Sequence, residues 1–219
     1  MTKFAFAALL AISVLSMAFT VDKNPKSKSK EKTKTKAAAM IIEKETPYTG
    51  VELDKYCSHP KRLLVIETKQ GTMKIQLFDR VAPNHVAQIM KLAKDGMYNG
   101  CTFHRIIKDF MIQGGDPNSK DDNLSDDGTG SMGEKLNAEF NEVGHKRGVC
   151  SMARTNDPNS ATSQFFICHG APSFLDHQYT VWGQLVEGYA VLDKIVALPK
   201  ISGDNPGKAA EMTKVYIQE

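Results

Sequence analysis

Residues 103–116 read FHRIIKDFMIQGGD and carry the strongest structural signal in the chain. Two short apolar runs flank Lys108-Asp109, so the stretch predicts two strands joined by a turn. A charged side chain, Arg105, lies inside the first run. A lone arginine in a strand is usually a solvated or ion-paired surface residue, so a functional meaning for Arg105 depends on its sequence context.

The flanking segments predict further short strands. Arg62–Thr68 is rich in Leu, Val and Ile, and Thr72–Phe78 alternates apolar with polar side chains, so both predict strands, joined by a turn at Lys69–Gly71. Thr213–Gln218 predicts a closing strand. The segments between are broken by Gly, Asn and Asp, and the chain contains no internal repeat.

Two isolated helices accompany these strands. The first begins near Pro83 and ends at Gly96, and one apolar stripe runs along it, formed by Val86, Ile89, Met90 and Ala93. The second is predicted over Tyr189–Leu198, with three inward side chains, Val191, Leu192 and Ile195. Many short strands with two helices favour an all-β barrel or sandwich with helical caps.

The beginning of the chain predicts export. Lys3 precedes an apolar run, Phe4–Val21, and Ser16 and Ala18 are small residues at the spacing of a cleavage site. This pattern predicts a signal peptide over residues 1–18, and so a periplasmic, secreted or secretory-pathway protein. The alternative is an uncleaved membrane anchor over residues 4–21, because the run is just long enough to span a thin bilayer.

A basic segment follows the export signal. Lys23–Lys36 carries seven lysines against the single acid Glu31, although the net charge of the whole chain is only +3. We interpret residues 19–60 as a lysine-rich flexible spacer and N-terminal extension, of which residues 41–60 can lie along a folded domain at 61–219. No aromatic residues interleave with the lysines, so nucleic-acid binding is not expected.

The cysteines and histidines predict no metal site. The four cysteines form no C-x-x-C pair and are read as free buried thiols, although export would favour disulfides: Cys57, Cys101, Cys150 and Cys168. The six histidines are scattered without ligand spacing: His59, His85, His104, His145, His169 and His177. His104 neighbours Arg105 but should point to the opposite face, so we interpret it as structural. An acidic loop lacks the EF-hand pattern and is read as solvated: Asp121, Asp122, Asp126 and Asp127.

Three separated segments resemble the cyclophilin family: residues 103–116, Ser151–Arg154 and Ser163–Ile167. Their order and spacing agree with that family, and the resemblance covers residues 61–219. It implies a closed eight-stranded antiparallel barrel capped by two α-helices. It also implies peptidyl-prolyl cis/trans isomerase (rotamase) activity on proline-containing polypeptides, with no cofactor and no metal, in a protein expected to be a monomer.

The resemblance further implies a site built around a catalytic arginine, Arg105. Ten residues would bind substrate: Phe110, Met111, Gln113, Ala153, Arg154, Gln164, Phe166, Phe174, Leu175 and Tyr179. The apolar ones would line a proline pocket, the two glutamines would hold the substrate backbone, and residues 153 and 154 would offer main-chain contacts. A two-residue turn would place Phe110 and Ile112 beside Arg105, whereas this site needs Met111 and Gln113, so we expect a looser turn or a bulge.

Two positions depart from the family pattern. Phe174 stands where many cyclosporin-binding members have tryptophan, and the lost indole N–H predicts weak or no cyclosporin binding. Tyr179 stands where the family has a groove histidine, and it keeps an aromatic wall with a polar tip. Two hypotheses follow. The first is an active isomerase that assists folding of exported proteins; the second is a non-catalytic module that binds proline peptides and is tethered by its basic segment.

Overall fold

The computed structural model describes residues 47–219. The predicted signal segment and most of the predicted spacer lie outside these residues. Within residues 47–219, no helix is both long enough and apolar enough to cross a membrane. The predicted anchor over residues 4–21 is therefore not addressed by the described part of the chain.

Eight strands form one antiparallel sheet. Their bounds are β1 Leu63–Thr68, β2 Gly71–Leu77, β3 Arg105–Ile107, β4 Met111–Gly114, β5 Val149–Met152, β6 Phe165–Cys168, β7 Val181–Glu187 and β8 Met212–Gln218. The order across the sheet is β3-β4-β6-β5-β7-β2-β1-β8. The β1–β2 hairpin predicted from alternation is confirmed, with Leu63 opposite Gln76 and Thr68 opposite Gly71.

The predicted closure of the sheet into a barrel is not confirmed. The sheet curls, but β3 and β8 are its two ends, and no ladder joins them within the described residues. Ile106 of β3 donates its N–H to the carbonyl of Asp204, so the loop before β8 takes up the bonding edge of β3. The segment before β3 does bond the beginning of β8. Thr102 and Glu211 form an isolated bridge, and Met212 donates its N–H to the Cys101 carbonyl at 2.8 Å. The count of eight strands was implied by the resemblance to the cyclophilin family, and strand periodicity does not show whether the edges of a sheet meet.

Three helices and three 3-10 turns accompany the sheet within residues 47–219. The helices are α1 Val51–Asp54, α2 Pro83–Lys94 and α3 Tyr189–Val196, and the 3-10 turns are Pro117–Lys120, Ser173–Leu175 and Gly207–Ala210. The two predicted helices are thus confirmed, and α1 is an additional single turn. Most of the predicted inward residues of α2 and α3 are buried, while Met90 and Val191 are half-buried against the same core.

The sheet is covered on both faces, because successive residues of a strand point to opposite sides. On β6, Phe165 and Ile167 enter the main core, which surrounds the fully buried Trp182. Phe166 and Cys168 enter a second apolar cluster instead. The second cluster consists of Phe78, Met111, Val143, Val149, Phe166, Cys168, Leu175 and Val181.

Part of the predicted N-terminal extension packs on this second cluster. Tyr48, Leu53 and Tyr56 contact it from the segment that precedes β1. Ser58 donates its N–H to Asp79 Oδ1 at 2.6 Å, and Arg80 donates its N–H to the Tyr56 carbonyl at 3.1 Å. Residues 47–60 therefore lie along the domain.

All four cysteines lie in the described part of the chain, where each is buried and unpaired with another cysteine. Burial raises the pKa of each thiol, to about 11 for Cys101. Buried, protonated thiols are poor nucleophiles, so these side chains act as small apolar core residues.

Candidate active site

The β3–β4 hairpin sets the positions of the predicted site residues. Its loop has three residues, and the middle one, Asp109, has a left-handed φ of 60°. Three-residue hairpin loops commonly place one residue in this region. The resulting register sets Arg105 opposite Gln113 and Ile107 opposite Met111, which confirms the expected looser turn.

The next ladder extends this arrangement across the sheet. Gln113 of β4 lies opposite Phe166 of β6, and Phe166 lies opposite Ser151 of β5. Three sequence segments that are far apart in the chain are thereby placed side by side. Arg105, Gln113 and Phe166 fall in one row across three adjacent strands.

A small pocket of about 130 Å³ opens at this row. Nine of the eleven predicted site residues line it: Arg105, Phe110, Met111, Gln113, Ala153, Arg154, Phe166, Leu175 and Tyr179. Met111, Phe166 and Leu175 are buried members of the second apolar cluster, so the base of the pocket is apolar and rigidly packed. Arg105 is exposed at the rim.

Gln164 lies next to the pocket rather than in its lining. Gln113 donates an Nε2–H to Gln164 Oε1 at 2.9 Å. Gln164 in turn donates to the carbonyls of Gly128 at 3.0 Å and Gly130 at 2.8 Å. Gln164 also lines an adjoining groove of about 310 Å³, which shares Gln113 with the pocket. The two glutamines therefore link the pocket to this groove.

The loop that receives Gln164 is held by a buried carboxylate, Asp116. One of its oxygens accepts the N–H of Asn118 at 2.8 Å, and the other accepts the N–H groups of Gly128 and Gly130. A Cβ at Gly130 would lie 2.1 Å from Asp116 Oδ1, so only glycine fits there. The longer loop at residues 117–131 is thus internally packed beside the site.

Phe174 does not line the small pocket. It lies on the 3-10 turn whose next residue, Leu175, points inward, and its own side chain is 66% exposed. Its ring stacks on Phe110 with centroids 5.7 Å apart. Phe174 therefore covers the outer face of a pocket residue instead of providing pocket wall. The position of Phe174 in the sequence does not show whether its side chain lines the pocket or lies outside it.

Arg105 keeps its hydrogen-bonding capacity available. Its Nη1 is 3.5 Å from Gln113 Oε1, a long contact. None of the ion pairs formed among residues 47–219 involves Arg105. A guanidinium at a pocket rim without a carboxylate partner can direct its donors toward a bound group.

Arg154, in contrast, is fully engaged. Its Nε and Nη2 donate to the Gln178 carbonyl at 3.1 and 3.0 Å, and its Nη1 donates to the Thr155 carbonyl. Its guanidinium carbon lies 4.6 Å from the centroid of the Tyr179 ring. Arg154 therefore fixes the Tyr179 wall of the pocket. The neighbouring Ala153 donates its N–H to the Gln164 carbonyl at 2.9 Å.

His145 supports the pocket from beneath, and sequence reasoning gave it no role. Its ring is buried and stacks on Phe166, with centroids 6.0 Å apart and planes 17° apart. Nδ1 lies 2.8 Å from Asp176 Oδ1, and Nε2 lies 2.9 Å from Ser151 Oγ. Burial lowers the pKa of His145, and the Asp176 carboxylate opposes part of that shift. A neutral ring that donates to Asp176 and accepts from Ser151 satisfies both contacts.

His104 behaves as the sequence predicted. It is 6% exposed, while its neighbour Arg105 is exposed, so the two side chains point to opposite sides. Burial lowers the pKa of His104. Within residues 47–219, no group of three or more His, Cys, Asp or Glu side chains could hold a metal ion.

The fold and the pocket together define an all-β domain with an apolar, partly enclosed binding pocket beside an unpaired arginine. A family model described as cyclophilin type peptidyl-prolyl cis-trans isomerase/CLD matches residues 63–217. The chain belongs to the cyclophilin-type peptidyl-prolyl cis-trans isomerases, and its enzyme class is that of the rotamases.

Individual relatives agree with this assignment. The chain is 43% identical over 141 residues to a probable peptidyl-prolyl cis-trans isomerase of Brucella suis, covering 62% of this chain and 72% of the relative. It is 45% identical over 120 residues to a peptidyl-prolyl cis-trans isomerase of Synechococcus elongatus, covering 55% of this chain and 77% of the relative.

A solved structure supports the fold. A cyclophilin-type isomerase of Cryptosporidium parvum, determined in the presence of the dipeptide Ala-Pro, superimposes with a TM-score of 0.65 at 29% identity. The match covers 72% of this chain and 99% of that one.

Proposed function

We propose that this protein accelerates rotation about X-Pro bonds in polypeptide substrates, with Arg105 as its catalytic residue. The observation that carries the proposal is the convergence of nine predicted site residues on one small apolar pocket, with an unpaired guanidinium at its rim. The presence of Ala-Pro with the similar Cryptosporidium parvum structure supports proline-containing substrates.

The chemistry requires no nucleophile, because the reaction breaks no covalent bond. Rotation about an amide loses resonance, and the barrier is about 18–20 kcal/mol. In the twisted transition state, the proline nitrogen becomes pyramidal and gains a lone pair. An N–H of Arg105 can donate to this lone pair, which the planar ground state offers only weakly. A contact that strengthens in the transition state lowers the barrier rather than only tightening binding.

The remaining residues bind the substrate and let it turn. Met111, Phe166 and Leu175 form an apolar base suited to a proline ring, and this base excludes water from the rotating bond. Gln113 can bond the peptide backbone on the side of the adjoining groove. Gln164 orients Gln113, because the amide N–H groups of Gln164 already bond Gly128 and Gly130 and its Oε1 accepts from Gln113. The carbonyl of Ala153 accepts no hydrogen bond from another residue in the range 47–219, so it can accept one from the peptide.

The direct test measures cis/trans exchange of an Ala-Pro peptide by NMR with catalytic amounts of the full chain. Arg105→Ala should lower kcat/KM by about a hundred- to a thousandfold, the effect typical of losing one transition-state donor. Arg62→Ala is a matched control, because Arg62 pairs with Glu219 at 2.8 Å in another part of the sheet. Undiminished catalysis by a folded Arg105→Ala variant would refute the assigned role.

The proposed biological setting is the folding of exported proteins. The apolar segment Phe4–Val21 and the small residues Ser16 and Ala18 support it. A mature protein whose sequence begins near Phe19 would agree with cleavage and secretion. Retention of Met1 together with membrane fractionation would instead establish the anchor over residues 4–21.

A non-catalytic proline-binding module is the second candidate. Two observations favour it, namely the exposed Phe174 that stands outside the pocket and the tyrosine at position 179. Peptide binding without any rate enhancement in the NMR exchange experiment would select this function. In either case the absence of an indole N–H at Phe174 predicts weak cyclosporin binding, and a nanomolar affinity by calorimetry would contradict that.

A further inference from the structure

We propose that Tyr48 is a positioning residue for the substrate pocket, and that it acts through Gly144 and His145 on Phe166. The proposal rests on the assigned pocket function. Tyr48 precedes residues 63–217, to which the family model matches, so one partner of this contact lies in the part of the chain that the family model does not cover.

The hydroxyl of Tyr48 makes two bonds to one residue, 96 positions away in the chain. It accepts the N–H of Gly144 at 3.0 Å and donates to the Gly144 carbonyl at 3.3 Å. Burial raises the pKa of the Tyr48 phenol, so the hydroxyl keeps its proton and can donate at neutral pH. The Lys146 Nζ lies 4.3 Å from the centroid of the Tyr48 ring. The ring and hydroxyl of Tyr48 together hold the 144–146 backbone.

The residue next to Gly144 is the one that supports the pocket. His145 donates its backbone N–H to Asp176 Oδ1 at 2.7 Å, and its ring nitrogens contact Asp176 and Ser151. These contacts orient the His145 ring parallel to Phe166, which is 5% exposed and lines the pocket. A shift of the 144–146 backbone would therefore be transmitted to Phe166, and Phe166 is the residue that a proline ring would touch.

The N-terminal segment is anchored independently of this hydroxyl. Tyr56 packs on Phe78 with ring centroids 5.3 Å apart, and the Ser58–Asp79 bond follows it. Loss of the Tyr48 hydroxyl should thus leave the second apolar cluster covered, and it should loosen only the 144–146 backbone. This separation makes a positioning role distinguishable from a general contribution to stability.

The test compares Tyr48→Phe with Tyr56→Phe in the full chain. Tyr56 is the matched control, because it lies on the same segment and its hydroxyl bonds to no other described residue. We expect Tyr48→Phe to raise KM for an Ala-Pro peptide about three- to tenfold with little change in kcat, and Tyr56→Phe to change neither. Both variants should keep thermal midpoints within a few degrees of the parent.

A double-mutant cycle with His145→Gln identifies the route. If Tyr48 acts through His145, the effect of Tyr48→Phe on KM should largely vanish in the His145→Gln background. Fully additive effects on KM, or a Tyr48→Phe variant that lowers the thermal midpoint but keeps the parent KM, would overturn the proposal.

Peptide affinity keeps this test separate from the proposed activity. The dissociation constant of the Ala-Pro peptide can be titrated by NMR even if the parent protein shows no catalysis. A weaker affinity in Tyr48→Phe than in Tyr56→Phe supports the positioning role whether or not the protein is an isomerase. Equal affinities in the two variants refute the positioning role.

Discussion

Adjacent phenylalanines on β6 should separate stability from function. Phe165 and Phe166 are 1% and 5% exposed, yet they face opposite sides of the sheet. Phe165 contacts three aromatic rings edge-on in the main core, Tyr98, Phe103 and Trp182. Phe166 contacts two rings, His145 and Tyr179, and also lines the pocket.

The magnitudes follow from these contacts. Each aromatic pair contributes about 0.5–1.5 kcal/mol beyond its burial. Phe165→Leu, which loses three such pairs, should therefore lower the free energy of unfolding by about 1.5–4.5 kcal/mol, and Phe166→Leu, which loses two, by about 1–3 kcal/mol. The two variants should rank in the opposite order when activity is compared. Phe166→Leu should lower kcat/KM per folded molecule at least about tenfold, because a misplaced pocket wall is costly, whereas Phe165→Leu should leave it near the parent value.

Urea unfolding supplies the stabilities, and NMR exchange of an Ala-Pro peptide supplies the rates. Both assays are run at a temperature where each variant is fully folded, so that unfolded protein does not enter the rate. If Phe165→Leu lowered kcat/KM as much as Phe166→Leu, the assignment of the pocket to the second apolar cluster would be wrong.

Three further predictions concern the whole domain. Burial lowers the pKa values of His104 and His145, so these side chains bind protons more weakly in the folded state than in the unfolded state. The stability that they contribute should be fully present above about pH 6.5 and should be lost as the pH falls through their folded-state pKa values. Each tenfold difference in proton affinity corresponds to about 1.4 kcal/mol in the free energy of unfolding. Urea titrations at pH 7.5 and pH 5 check this, and a flat profile would contradict it. Gly115 has a φ of +83°, and a Cβ there would lie 2.5 Å from the Ser163 carbonyl oxygen. The control is Gly203, which also has a left-handed φ but has no atom within 4 Å of a Cβ, so Gly203→Ala should lower the free energy of unfolding by only about 1–2 kcal/mol. Gly115→Ala should lower the free energy of unfolding by more than this. The four buried thiols should resist a thiol reagent at pH 8 until denaturant is added, and one rapidly reacting thiol in the native protein would show an opening that the structure lacks.

Several features of the fold could be predicted from local sequence. The β1–β2 hairpin, α2 and α3 follow from periodicities of 2 and 3.6 residues, and a strand or helix needs only its own side chains to show them. The buried, structural placement of His104 also followed from alternation along one strand. The residues of the pocket were implied by the resemblance of the three motif segments to the cyclophilin family.

Other features depend on contacts between distant segments. Alternation predicts which face a residue occupies, but it gives no information about the partner on that face. The chain therefore contained no signal that the His145 ring stacks on Phe166, or that Tyr48 bonds Gly144. The placement of Phe174 outside the pocket depended on the local turn at Ser173–Leu175.

The sequence by itself determined the β1–β2 hairpin, the closing strand β8 and the helices α2 and α3. Its three motif segments, through their resemblance to the cyclophilin family, implied Arg105 and an apolar pocket. The tertiary structure decided how the chain around β3 meets β8. Met212 of β8 donates its N–H to the Cys101 carbonyl, whereas Ile106 of β3 donates to Asp204 in the loop before β8. The tertiary structure also decided that residues 47–60 belong with the domain and pack on the second apolar cluster. Such contacts depend on which distant segments pack together in the folded chain, and the periodicity of side chains along one segment gives no information about its packing partner.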